Sequence, residues 1–449
     1  MTKNTSQSKI NNVITVIIGA MLMGFLWRVR GTHGWGSSWG LLNAGIVFVL
    51  FLAVAIGERK KMNLAWTSLT ALSFMLTVPA WGTLLNQMSG TLALGDYSVA
   101  ISPWSGVFMM LCLGFGVASI FGIMLGRAYS DKQWKLWHVI VLIAVFYAVG
   151  YLAKATVSHL ILQAIQPQAA EALAADLKAV GINDGVYKTY MQHFDNDAWA
   201  KKFTQEALGR ISVAGRNYFQ SIMTISSAIS AVAVLITTRF VIKDKRAALT
   251  GTVTCFAFAI AITLADLFFW FESKGYAVPD TYAPWSLWEY FTGFIAGGII
   301  TAFLVSLKKK DDVTEPVFDK LPLKARNVLT FLLGFIGVIG VSIVRPVLER
   351  FDHSDNMIIY TIISVIAALA IIIVIAKKYG FTLEKIPYKN YCAVALPCFV
   401  IFIFIAYMFI GCAEYQNYTS IGMIHNILVT VSAALIILWS AVQIKKIKK

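Results

Sequence analysis

The sequence predicts an all-α, polytopic membrane protein with about twelve transmembrane helices and both termini in the cytoplasm. Three observations predict it. Of 449 residues, 58% are hydrophobic and only 14% are charged, whereas soluble domains average roughly 45–50% apolar and about 25% charged. Apolar runs long enough to cross ~30 Å of hydrocarbon recur along the whole chain. The connections between them alternate between basic and non-basic, as the positive-inside rule requires. The runs are continuous and do not alternate polar with apolar, which argues against a β-barrel.

The spans fall at 11–29, 39–57, 63–84, 104–126, 137–162, 218–241, 248–272, 287–307, 327–347, 357–376, 391–411 and 419–441. Residues 1–165 carry helices one to five, with a Gly/Trp-rich outer loop at 31–40. Residues 166–216 form a long extracytoplasmic segment of short amphipathic helices, either a passive surface cap or a lid. Helices six to eight occupy 217–307, a cytoplasmic linker 308–326 follows, and 327–449 hold helices nine to twelve and a basic tail. The first span has a short basic lead and no small-residue cleavage site, so it reads as an uncleaved helix.

The net charge of +15 could suggest nucleic acid. Its distribution removes that suggestion. The cytoplasmic segments hold 26 of 38 basic and 8 of 23 acidic residues, a net +18 against −3 elsewhere. The excess is a topology signal directed at anionic headgroups of the cytoplasmic (inner) membrane. Partners are therefore membrane lipids and a small substrate, with no nucleic acid; oligomeric state is not encoded in any motif. The five cysteines lie in or beside apolar spans without metal-ligand spacing and read as small buried hydrophobes. No metal or cofactor is expected.

The reactive inventory gathers at the outer ends of the spans. The stretch "GFLWRVRGTHGWGSSWG", Gly24 to Gly40, closes the first span with Trp27, Arg28 and Arg30, then continues through His33, Trp35 and Trp39 among five glycines. Guanidinium groups there either snorkel to water or bind an anion beside glycine-rich backbone. Arg345 precedes Pro346 in span nine and lies four residues before Glu349, so it either joins an anion site or forms a local ion pair. Asp266 sits about two turns below the outer end of span seven, where a carboxylate must find water or a partner. Trp270 and Lys274 follow it at helical spacing. His33, with an unperturbed pKa near ~6.5, is a candidate general base, and Asp266 with Glu272 completes the candidate catalytic set.

Nine of thirteen tryptophans lie outside, Trp270, Trp285 and Trp288 among them. An interfacial belt should mark both faces, so the asymmetry points to indoles stacking on a sugar ring or an acyl chain. Trp27, Trp35, Trp39, Trp270, Trp285 and Trp288 are thus assigned to substrate with Arg28, Arg30 and Arg345. No H-E-x-x-H or Walker motif occurs. Two functions fit an anionic, lipid-linked or sugar-like substrate. The first is a membrane-embedded enzyme with an outward-facing site, a transferase acting on a lipid-linked or phosphorylated envelope glycan or lipid. The alternative is a secondary active transporter of a small anionic or sugar-like solute. A lack of charge at the midplane favours the enzyme, since transporter sites usually lie there.

Overall fold

The computed structural model describes residues 2–30, 38–57, 85–93, 98–184, 209–276, 283–308, 388–409 and 423–447, with a few isolated positions besides. In chain order the helices are α1 (Thr2–Arg30), α2 (Ser38–Leu52, continued by a π turn Ala53–Gly57), α3 (Pro103–Val117), α4 (Ser119–Ala128), α5 (Leu136–Ala155), α6 (Val157–Ile165) and α7 (Pro167–Ala179). They continue with α8 (Gly209–Ile236, ending in a π turn Thr237–Val241), α9 (Lys245–Ala265), α10 (Leu267–Ser273), α11 (Pro284–Ser306), α12 (Tyr388–Phe409) and α13 (Met423–Ile447).

Among the described residues, six helices are long and apolar enough to cross a membrane: Lys9–Arg30, Trp137–Ala155, Asn217–Val241, Lys245–Ser273, Pro284–Ser306 and Ile424–Lys446. Pro103–Val117 with Ser119–Ala128 makes a seventh if a 42° bend is counted as one span. Two shorter apolar helices, Ala44–Gly57 and Cys392–Ile405, fall on two more of the expected spans. The chain is therefore a mostly helical membrane-type protein. The expected spans 63–84, 327–347 and 357–376 and the linker 308–326 lie outside the described residues, nearly in full.

Three expected spans are interrupted where the sequence suggested continuous helix. The fourth bends at Ala118, the fifth breaks at Thr156, and the seventh breaks at Asp266. The described chain is mostly helical, as expected, with one small exception. Thr91–Ala93 pairs antiparallel with Ser98–Ala100 in a small hairpin, preceded by a 3-10 turn at Gln87–Ser89 whose flanks, Asn86 and Gly90, are left-handed. A three-residue strand is too short for period-two alternation to register in the sequence. In the 166–216 segment, α7 is one amphipathic helix, burying Ala169, Ala170, Leu173 and Leu177 on one face; most of 185–208 lies outside the described residues.

The packing is organised by α9 and α1. Helix α9 lies against α3, α4 and α11, and α1 lies against α11, α13 and α2. The α1–α11 pair is antiparallel: Gly19 faces Thr301, Met23 faces Gly297 and Gly293, and Arg28 faces Glu289. Gly293 and Gly297 form a G-x-x-x-G step, and a Cβ on either would enter the backbone or side chain of Met23. Gly122 and Gly126 make the same step on α4 and receive Thr254 and Thr250 of α9. In lipid there is little hydrophobic drive between helices, so small residues that admit close approach carry the association. The facing threonines satisfy their own hydroxyls, Thr250 donating to the Arg246 carbonyl and Thr254 to that of Thr250. These contacts therefore need no water.

This close approach predicts an asymmetry among neighbouring glycines. Gly293→Ala should lower the unfolding temperature in detergent by an amount matching about 1–3 kcal/mol of overpacking. Gly298→Ala, whose new methyl meets only the Cβ of Ala20, should change it far less.

Candidate functional site

The antiparallel α1–α11 contact carries the last turn of α1 to the first turns of α11. Pro284 opens α11 at its first helical position, where its missing N–H costs nothing. One turn on, Trp285, Trp288, Glu289 and Tyr290 face or flank α1. Arg28 Nη1 donates to Glu289 Oε2 at 2.8 Å, and the two residues are only 1% and 2% exposed. Trp285 Nε1 donates to the other carboxylate oxygen at 3.2 Å. The Arg30 guanidinium lies 4.1 Å from the centroid of the Trp27 ring, a cation–π contact that strengthens when water is excluded. Both arginines end α1, where the helix dipole favours positive charge.

Helices α12 and α13 close the other side. The Arg28 guanidinium carbon is 5.8 Å from the Tyr407 ring centroid, and Tyr407 donates its hydroxyl proton to Asn426 Oδ1 at 2.9 Å. Next to Asn426, His425 is 1% exposed, its Nδ1 has no partner among the described residues, and it lies within reach of the charge on Arg28. Tyr290 and Ser432 share a hydroxyl hydrogen bond of 2.8 Å. Four helices far apart in sequence thus enclose one ionic cluster in the bundle.

A second polar cluster forms where α9 gives way to α10. Asp266 is fully buried. Its Oδ1 accepts the backbone N–H of Asn86 at 3.2 Å, while Oδ2 has no partner among the described residues. The left-handed conformation of Asn86 (φ 70°) aims that N–H at the carboxylate. Gln166, between α6 and α7, donates through Nε2 to Gln87 Oε1 at 2.7 Å and to Ser105 Oγ at 3.3 Å. Asn86 Oδ1, Gln87 Nε2 and Gln166 Oε1 are buried without partners among the described residues too. Gly106 lets the turn sit directly on α3, since a Cβ there would overlap the Gln87 carbonyl. Four unmatched buried polar atoms in one connected neighbourhood are unusual in a native interior and suit a bound ion or water.

The sequence-predicted residues divide accordingly. Trp27, Arg28, Arg30, Trp285 and Trp288 come together around Glu289; Trp288 is buried, with its ring 6.1 Å from that of Trp285. Asp266 is buried apart from them, although Trp27 touches its helix through Phe258, 5.0 Å between ring centroids. Trp270 is half-buried against Phe271. Glu272, the other candidate carboxylate, is exposed on α10. Trp39 lies in α2. His33, Trp35 and Arg345 lie outside the described residues. Among the described residues no three His, Cys, Asp or Glu side chains are grouped to hold a metal ion.

The sequence reading marked His425–Asn426 in the last span as a further candidate but gave no role to Glu289, Tyr407, Asn86, Gln87 or Gln166. Only Glu289 had a local signal, the Trp285–Glu289 spacing of four that puts indole and carboxylate on one helix face.

The Arg28–Glu289 pair should behave as a coupled unit. In a cycle of Arg28→Met, Glu289→Leu and the double variant, each single change should destabilise the protein strongly, because it leaves a buried charge facing an apolar group. The double variant should be more stable than the sum of the two predicts, by a coupling of about 0.5–3 kcal/mol, read from unfolding in detergent. Compared with known proteins, the chain matches no family model, no curated protein and no solved structure.

Proposed function

We propose that the chain is a twelve-span protein of the cytoplasmic membrane, with both termini in the cytoplasm, that works as a secondary active transporter of a small anionic or sugar-like solute. The observation that carries this reading is Asp266. It is a buried carboxylate at an interruption in a helix long enough to span the membrane, with one oxygen unmatched among the described residues. Interrupted helices that offer polar groups inside the bundle are how many transporters build ion and substrate sites, and non-helical backbone at membrane depth is tolerated where it serves such a cavity. Two further breaks, at Ala118 and Thr156, support the same reading. Asp266 with Asn86 and Gln166 then takes the coupling proton or sodium ion. Arg28, Arg30 and Trp27, held by Glu289, take the anionic solute. Enclosure of this cluster by α1, α11, α12 and α13 fits alternating access better than a permanently open basin.

A second reading is the membrane-embedded transferase acting on a lipid-linked or phosphorylated envelope glycan or lipid. The specific observation in its favour is depth. Arg28 lies two residues from the end of its span, and Trp285, 42% exposed, marks the start of another, so a substrate in the outer leaflet could be reached. His33 and the 31–40 loop would then supply the base, and arginines the phosphate contacts.

Reconstitution separates the two. Purified protein in liposomes should accumulate a member of a panel of labelled sugar phosphates and carboxylates when a proton or sodium gradient is imposed. Asp266→Asn should lose gradient-driven accumulation while retaining exchange of solute down its own gradient. Uptake indifferent to every gradient, together with turnover of a lipid-linked acceptor that His33→Ala abolishes, would instead establish the transferase.

A further inference from the structure

At the opposite end of α9 from Asp266, roughly 30 Å along the helix at 1.5 Å per residue, a different feature has no part in either polar cluster. Between the π-helical end of α8 and the first turns of α9 runs an open groove of about 460 Å³. Ile236, Arg239 and Phe240 line it from α8; Lys245, Leu249 and Thr252 line it from α9. Both helices pack on α3, but beyond it α8 leans on α5 while α9 leans on α4 and α11, which leaves the groove between them open. Phe240 is 68% exposed and Ile236 and Leu249 about half exposed, on helices that both qualify as membrane spans.

The charges at its mouth are all of one sign. Asp244, the acid of the connecting turn, is turned inward, where it caps α9 through the Ala247 N–H and accepts from Trp134 Nε1. Arg246 is occupied by the Tyr129 carbonyl and Asp131. Arg239, Lys243 and Lys245 are exposed and have no carboxylate partner among the described residues. Within the groove the Thr252 hydroxyl is spent on the Ala248 carbonyl, so its wall is effectively apolar. Cations therefore stand at the helix ends, and a greasy channel runs from them toward the middle of the spans. That polarity is the polarity of a glycerophospholipid, and basic pockets between helices at this depth suit anionic headgroups.

We propose that this groove is a binding site for one anionic diacyl phospholipid from the adjoining leaflet, its phosphate held by Arg239 and Lys245 and an acyl chain laid between Ile236, Leu249 and Thr252. Native mass spectrometry of the full-length protein, titrated with phosphatidylglycerol or phosphatidylcholine, tests it. The protein should retain one phosphatidylglycerol in preference to phosphatidylcholine, and the double variant Arg239→Gln/Lys245→Gln should weaken that retention roughly tenfold or more. Thr252→Phe, which fills the groove and leaves both cations, should also lose the bound lipid. Lys445→Gln/Lys446→Gln, at the equally basic and exposed end of α13, should leave retention unchanged. Equal weakening by both charge variants, undiminished retention in Thr252→Phe, or equal retention of phosphatidylcholine would overturn the site in favour of general headgroup attraction.

Discussion

The Arg28–Glu289 pair depends on a constraint that is steric before it is electrostatic. Two buried charges are tolerable only if each faces the other at hydrogen-bond distance with its remaining polar atoms occupied. In this protein the two residues are separated by 261 positions, and what brings them together is the close approach of α1 and α11. Gly293 and Gly297 let Met23 and Trp27 lie against the α11 backbone. The register that follows sets Arg28 opposite Glu289 and Trp285 within reach of the same carboxylate. A bulkier interface would separate the helices, and the ion pair would lose its geometry along with the packing.

The second cluster follows from the opposite device, a deliberate loss of regular helix. Helix α9 yields to α10 at Asp266, and the left-handed turn at Asn86 presents a backbone N–H to the carboxylate. Two side-chain amides and a serine then join through Gln166. Hydroxyls near the other end of α9 behave differently. Thr250, Thr252 and Thr254 each bond a carbonyl one turn back and leave nothing unmatched. The α8–α9 connection buries Asp244 against Trp134 and leaves Arg239, Lys243 and Lys245 exposed.

Class of protein and type of element were legible in the sequence because both are local. A run of apolar residues sets its medium through transfer free energy, and its length sets whether it can cross. The Trp27–Arg28–Arg30 terminus and the Trp285–Glu289 spacing could be read the same way, since helical periodicity alone puts those side chains near one another. The interruptions at Ala118, Thr156 and Asp266 could not. None carries a proline at the break, and an apolar window looks alike whether straight or bent. The amides of Asn86, Gln87 and Gln166 lie in segments read as connections, where polar residues attract no notice.

What the sequence by itself determined was a mostly helical chain whose long apolar runs suit a membrane. Tertiary structure alone decided which carboxylate meets Arg28, that Asp266 is sealed while Glu272 is exposed, and that an uncovered channel is left beside Arg239 and Lys245. The reason is that partners of a buried charge come from whichever helix approaches it. Approach is governed by the small-residue faces of two distant segments acting together, a property neither segment carries alone.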